Sequence, residues 1–325
     1  MSDNLINSGL VIRTTGSWYC VMPSGGNVVN CRLRGNYRLR CSKQTNPIAV
    51  GDRVSFLLLD DGTGMITDVA DRRNYIVRRA TKLSKQTHVI AANIDLLCLV
   101  ATLGLPRTST GFIDRLLVTA EAYHIPAALI FNKCDLYDDE LWPIHNELKA
   151  IYSSVGYPVY EVSALHGTGI DTVRELISGK VCLFSGHSGV GKSALLNAID
   201  PSLHLKTGQL SDWSLKGKHT TTFAELFPIT IPSATHPDSR PSTFLIDTPG
   251  IKEFGMVDFT PEELSHFFPE MRSRLHDCHF ANCTHRHEPG CAIKSAVESG
   301  EISGERYQNY LNIIESIISD APIRR

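Results

Sequence analysis

Between residues 9 and 79, apolar positions alternate with polar ones in short runs, at 10–13, 18–22, 28–33, 53–59 and 65–69. Turn-forming clusters separate them, notably Pro23-Ser24-Gly25-Gly26 and Asp60-Asp61-Gly62-Thr63-Gly64. Period-two runs with such breaks predict an all-β barrel or sandwich of five strands. From residue 93 to 254 the pattern changes. Runs 94–101 and 127–131 are apolar almost without interruption, as strands covered on both faces require. Between them, Ile113, Leu116, Leu117 and Ala120 recur at helical spacing within residues 110–124. Runs 157–162, 181–184 and 243–246 add strands and 192–199 a helix, which predicts an α/β doubly wound domain. Residues 231–242, with three prolines, read as a surface loop. Beyond residue 261, Leu264, Phe267 and Phe268 recur helically, and residues 305–318 form a terminal amphipathic helix. The expected domains are 1–79, 80–256 and 257–325.

Composition agrees: of 325 residues, 20% are charged and 42% hydrophobic, which is globular rather than disordered. The most apolar run, 93–105, carries Asp95 and falls short of the roughly 20 residues that span a bilayer. Residues 1–7 are polar and lack a basic stretch leading into an apolar core, so a cytoplasmic protein without membrane association is expected. Nothing in the pattern requires more than a monomer. Net charge is −2, but residues 1–85 hold thirteen Lys/Arg against six Asp, a local +7, and the remainder carries −9. A basic front end suits a polyanion. At period two, Arg32 and Arg34 share one strand face, as do Arg38 and Arg40. Trp18, Tyr19 and Tyr37 add stacking surfaces of the kind that hold single-stranded nucleic acid. Of nine cysteines, Cys20, Cys31, Cys41, Cys98, Cys134 and Cys182 are scattered and read as core residues; the other three cluster near the C-terminus.

Gly186-His187-Ser188-Gly189-Val190-Gly191-Lys192-Ser193 follows an apolar strand and, with Ala194, opens a helix. This is the context of a phosphate cradle, in which glycines turn backbone N–H groups inward and the helix N-terminus adds its positive end. Lys192 reaches the terminal phosphates and Ser193 ligates Mg²⁺. Asn132-Lys133-Cys134-Asp135 follows the strand 127–131. Its Asp135 can accept from both the ring N–H and the exocyclic amine of guanine, a pairing adenine does not offer. Ser163 and Ala164, before Leu165, fit the companion loop whose backbone N–H meets the guanine oxygen. Asp247-Thr248-Pro249-Gly250 ends another strand; Asp247 would hold a Mg²⁺-bound water and the Gly250 N–H would sense the γ-phosphate. Within Gly217-Lys218-His219-Thr220-Thr221-Thr222, Thr221 is the chosen Mg²⁺ ligand, with Thr220 and Thr222 as alternatives.

The motif order is permuted. Common GTPases run cradle, switch threonine, Asp-x-x-Gly, Asn-Lys-x-Asp; here the base-recognition loops come first. The chain therefore leaves the domain just after the γ-phosphate sensor, which would wire the C-terminal unit to the switch. The permuted order, the Gly-x-His-Thr-Thr loop, the β domain in front and the Cys/His module behind resemble the RsgA (YjeQ) family of small-ribosomal-subunit biogenesis GTPases. Ala194 stands where a second serine is often found. The resemblance implies an OB-fold N-terminal domain and contact with the small subunit and its 16S rRNA. It also implies GTP hydrolysis to GDP stimulated by that subunit late in its maturation.

The residue after Asp-x-x-Gly is Ile251, which has no group to orient a water, whereas Ras-like enzymes carry glutamine nearby. His219, beside the switch threonines, is the internal candidate for that task, and the resemblance points to it as well. Cys278-x4-Cys283-x-His285-x5-Cys291 offers three thiolates and an imidazole for one tetrahedral structural Zn²⁺. Spacing leaves His276, His279 and His287 as competing ligands; the resemblance implies His285. A helical unit of this size has little core of its own, so metal would supply much of its folding energy. Against the GTPase reading stands an RNA-binding assembly factor in which GTP is a structural latch.

Overall fold

Alternation in the first seventy residues becomes a barrel. The computed structural model describes residues 6–23, 25, 27–33, 47–79, 87–205, 224–229, 231, 243–247 and 260–320. In it the runs form β1 (Ile6–Thr15), β2 (Trp18–Pro23), β3 (Val29–Leu33), β4 (Arg53–Leu58) and β5 (Gly64–Val69). Antiparallel pairs β1–β2, β2–β3, β4–β5 and β1–β4, with the parallel pair β3–β5, close the five strands on themselves. Inward-facing residues Val11, Tyr19, Val21, Cys31, Val54, Phe56 and Ile66, with Ile48, fill the interior. Tyr19 is therefore a core residue at 5% exposure and not a stacking surface, because its strand parity points it inward. The turn before β4 is pinned by the buried Asp52 carboxylate, which accepts from the Ala49 N–H at 2.7 Å and from Arg72 Nε and Nη2, each at 2.7 Å. Arg34, Tyr37, Arg38 and Arg40 lie outside the described residues. A hairpin, β6 (Tyr75–Arg79) with β7 (Thr87–Ala92), follows and was not evident in the residue pattern.

Strands and helices then alternate: β8 (Leu96–Ala101), α1 (Thr110–Ala122), β9 (Ala127–Asn132), α2 (Leu141–Ser154), β10 (Val159–Val162), α3 (Ile170–Ile177), β11 (Val181–Ser185), α4 (Lys192–Ile199), β12 (Glu225–Ile229) and β13 (Thr243–Asp247). Every residue of β8 and β9 is buried, which accounts for their unbroken apolar text. The C-terminal region contributes α5 (Pro269–Arg272), α6 (Ala292–Glu298) and α7 (Gly304–Asp320), joined by short 3₁₀ turns.

The chain divides into two compact units. One comprises Met1–Leu96, Thr172–Phe184 and Ile199–Lys252; the other comprises Leu97–Asp171, Ser185–Ala198 and Glu253–Arg325. In the first unit, β11 pairs in parallel with β13, β13 antiparallel with β12, and β12 antiparallel with β1 through the register pair Arg13–Glu225. The barrel strands and β12, β13 and β11 thus belong to one sheet, joined at the β1–β12 pair. In the second unit, β8, β9 and β10 run parallel.

The C-terminal helices also lie in the second unit, and they have more core than their length suggests. Leu264, Phe268, Met271, Ile293, Tyr310, Ile313 and Ile314 pack with Cys283 and Cys291, and Val118 of α1 completes the cluster. A buried charge network reinforces this seam. Arg306 of α7, 2% exposed, donates to Asp114 of α1 at 2.5 Å and to both oxygens of Glu270 of α5 at 2.5 and 3.2 Å. Asn309 donates to the second Asp114 oxygen at 2.7 Å. Burial pushes the Asp114 carboxyl up to about 6, against the pull of Arg306 and Asn309. Burial also opposes the Arg306 charge, yet Asp114 and Glu270 hold its pKa above the ordinary arginine value.

Candidate active site and metal centre

The loop between β11 and α4 must bend its backbone inward, and two glycines show why no other residue serves. Gly186 has φ +148°, and a Cβ there would stand 2.2 Å from the Val100 carbonyl oxygen. Gly191 has φ +90°, and its Cβ would meet the Asn132 Nδ2 at 2.4 Å. With these turns in place, the Lys192 ammonium folds over the loop and donates to the carbonyls of Gly186 and His187, the latter at 2.7 Å. Burial pushes Lys192 down to about 8. Ser193, 4% exposed, sits in the first turn of α4, and Val190 is fully buried.

Asn132 ends β9 and is the hinge pin of the site. Its Nδ2 donates to the Val190 carbonyl at 2.9 Å, and its Oδ1 accepts from the Ala164 N–H at 3.1 Å. One buried amide so joins three loops separated by 32 and 58 residues of chain. Lys133, at φ +65°, adds a second tie, donating to the carbonyls of Gly189 and Leu105, each at 2.9 Å. Leu105 belongs to the loop between β8 and α1, which no sequence motif marked; Thr102 and Thr108 bond across its base. Asp135 lies beyond Cys134 with His166 Nε2 3.9 Å from its carboxylate. Ser163 Oγ accepts from the His166 N–H and shapes that turn. His187 and Ser188 are exposed.

The structure therefore brings together residues 132–135, 163–164 and 186–193. Within the loop expected to offer a backbone N–H to the guanine oxygen, the Ala164 N–H is engaged by Asn132. Asp247 is the last residue of β13, and its side chain is outside the described residues. His219, Thr220, Thr221, Thr222, Gly250 and Ile251 also lie outside them.

In the C-terminal module, donor atoms of Cys278, Cys283, His285 and Cys291 all fall within 4.8 Å of one another. His285 Nδ1 faces the sulfurs of Cys278 at 3.6 Å and Cys291 at 3.4 Å. A tetrahedral ion with arms of about 2.3 Å needs donor separations of about 3.8 Å, so this cage fits a metal with small closure. His276, His279 and His287 are exposed and outside this cluster, whereas His285 is buried within it. Glu288 organises the loop, accepting from Thr284 N and Oγ1 and from the Arg286 and His287 N–H groups. Burial works against its charge, but the Thr284 and backbone donors hold its carboxyl well below the ordinary range. From α7, Tyr307 and Tyr310 donate to the carbonyls of His285 at 2.6 Å and Thr284 at 2.8 Å. Among the described residues no helix is long and apolar enough to cross a membrane.

A closed barrel, a parallel sheet with a phosphate loop tied to an Asn-Lys-x-Asp loop, and a motif order that starts with base recognition together define a circularly permuted P-loop GTPase. Comparison with known proteins names the family. Residues 69–257 match the RsgA GTPase domain and residues 8–66 the RsgA N-terminal domain. The small ribosomal subunit biogenesis GTPase RsgA of Bacteroides fragilis is 49% identical over 307 residues, 94% of this chain and 96% of its own. That of Flavobacterium johnsoniae is 49% identical over 311 residues, covering 95% and 93%. Among solved structures, YjeQ from Thermotoga maritima superposes with TM-score 0.78 at 36% identity over 97% of this chain and 99% of that one. YloQ, described as a circularly permuted GTPase, superposes with TM-score 0.75 at 28% identity over 99% of both. The chain belongs to the RsgA GTPase family.

Proposed function

We propose that this protein hydrolyses GTP to GDP and phosphate on the small ribosomal subunit during late maturation, that it contacts 16S rRNA, and that the subunit stimulates turnover. The observation that carries the nucleotide reading is the Asn132 amide, which ties the phosphate loop to both base-recognition loops. In this reading Asp135 accepts from the guanine edge, the Ser163–Ala164 turn borders the base, and residues 186–194 wrap the phosphates. Lys192 supplies positive charge to them. Ser193, Thr221 and Asp247 hold Mg²⁺, which neutralises phosphate oxygens; Gly250 senses the γ-phosphate and His219 orients the attacking water.

Residues 1–79 serve as the RNA-facing domain, with Arg32, Arg34, Arg38 and Arg40 on phosphates. Arg32 is exposed and lies over the Trp18 ring, 3.9 Å from its centroid, a pairing that suits a base and its phosphate. Residues 80–256 form the GTPase domain, and residues 257–325 hold one structural Zn²⁺ on Cys278, Cys283, His285 and Cys291. The protein acts as a cytoplasmic monomer.

The test is single-turnover GTP hydrolysis with and without isolated small subunits. Acceleration is expected; an unchanged rate with intact binding would turn the reading into a structural latch. Asp135→Asn should shift preference from guanine to xanthine nucleotides. Unchanged stimulated hydrolysis in His219→Ala would remove His219 from the mechanism.

A further inference from the structure

The phosphate loop has a lateral support that its motif does not contain. The Phe112 ring, in the first turn of α1, stacks on the His187 imidazole with centroids 3.6 Å apart and planes 29° from parallel. His187 is the residue whose carbonyl receives Lys192. The stack thus engages the side chain of the same residue whose carbonyl helps to seat Lys192.

Phe112 is itself held firmly. Ser109 caps α1, its Oγ accepting from the Phe112 N–H at 3.3 Å. Thr110 donates to Glu305 at 2.7 Å, and Asn309 packs against Gly111, where a Cβ would stand 3.3 Å from its Oδ1. One turn on, Asp114 takes the buried Arg306. The turn that carries Phe112 is thus bolted to the C-terminal helix and presents a rigid ring.

The geometry points to Phe112 as a positioning residue of the GTPase, presetting the phosphate loop through His187. This inference rests on the reading that GTP occupies the loop, and it assigns the loop a support from outside the nucleotide motifs. Ring stacking of this kind is worth about two- to tenfold in an equilibrium.

The experiment is stopped-flow release of a fluorescent guanine nucleotide (mant-GDP) from the full chain, as wild type, Phe112→Leu, His187→Ala and the double variant. Each single change is expected to speed release about two- to tenfold, with the double variant no faster than the faster single one, as partners in one contact behave. Phe112→Tyr, which keeps the ring, is expected to release at the wild-type rate. Singles whose effects multiply, or a His187→Ala protein that releases like wild type, would overturn the assignment. Failure of wild type to bind any guanine nucleotide would instead remove the GTP reading itself.

Discussion

Replacing Arg306 by methionine keeps much of the side chain's length and deletes its charge. In the native protein the guanidinium is 2% exposed, the Asp114 carboxylate 0% and that of Glu270 8%. The variant would leave both carboxylates buried without their cation. Removing one partner of a buried pair costs about 3–5 kcal/mol, mostly from the charge left behind rather than the bond lost. Urea unfolding followed by circular dichroism should show that deficit, and hydrogen exchange should place the loosening in α1 and α7.

The pH dependence has a definite sign. Asp114 is pushed up to about 6 by burial even with Arg306 present, above its unfolded value of about 3.9. Without Arg306 it rises further. A carboxyl raised in the folded state favours folding below its unfolded pKa, and that advantage is lost as pH climbs through the folded pKa. The deficit of the variant relative to wild type should therefore widen above pH 6 and narrow toward pH 5. Adding Asp114→Asn and Glu270→Gln to Arg306→Met should restore part of the loss. A deficit under about 1 kcal/mol at pH 7.5, or one that grows on acidification, would refute the charge-burial account.

Gly191→Ala should abolish nucleotide binding in fluorescence titration while leaving the thermal melt within a few degrees of wild type. The clash with Asn132 opens the loop junction but not the core. Stripping metal from Cys278, Cys283, His285 and Cys291 with a chelator and a thiol reagent should lower the melting temperature and release about one equivalent of zinc by elemental analysis. Protein with full helical stability and no bound metal would count against the centre. Arg32→Gln should weaken single-stranded RNA binding and reduce the salt-dependence slope by about one ion, measured by anisotropy at several salt concentrations. An unaltered slope would take Arg32 off the RNA path.

Much of this was legible in the residues. Unbroken apolar runs became β8 and β9 because both faces of those strands are covered, and short alternating runs became the barrel because only one face is. The phosphate loop and Asn-Lys-x-Asp announced themselves through glycines and a short polar signature. Harder to read were elements defined by partners far along the chain. Tyr19 looked like an exposed aromatic until strand parity turned it inward. α2 mixes buried His145, Leu148 and Tyr152 with exposed positions, and its face emerges only against its sheet. Phe112 and Arg306 carry no motif; an arginine on an amphipathic helix reads as solvent-facing, and only Asp114, 192 residues away, shows otherwise. Spacing could not tell which of four histidines sits with the cysteines, because all four crowd them in sequence; the fold buries only His285 beside the three sulfurs.

The antiparallel contact between β1 and β12 has an architectural consequence. Because the barrel's first strand pairs with β12 at Arg13–Glu225, it covers part of an edge whose amide and carbonyl groups would otherwise invite another chain. A shortened protein beginning after the barrel would lose this end-cap, and its natural fate is self-association rather than a clean, freestanding catalytic half.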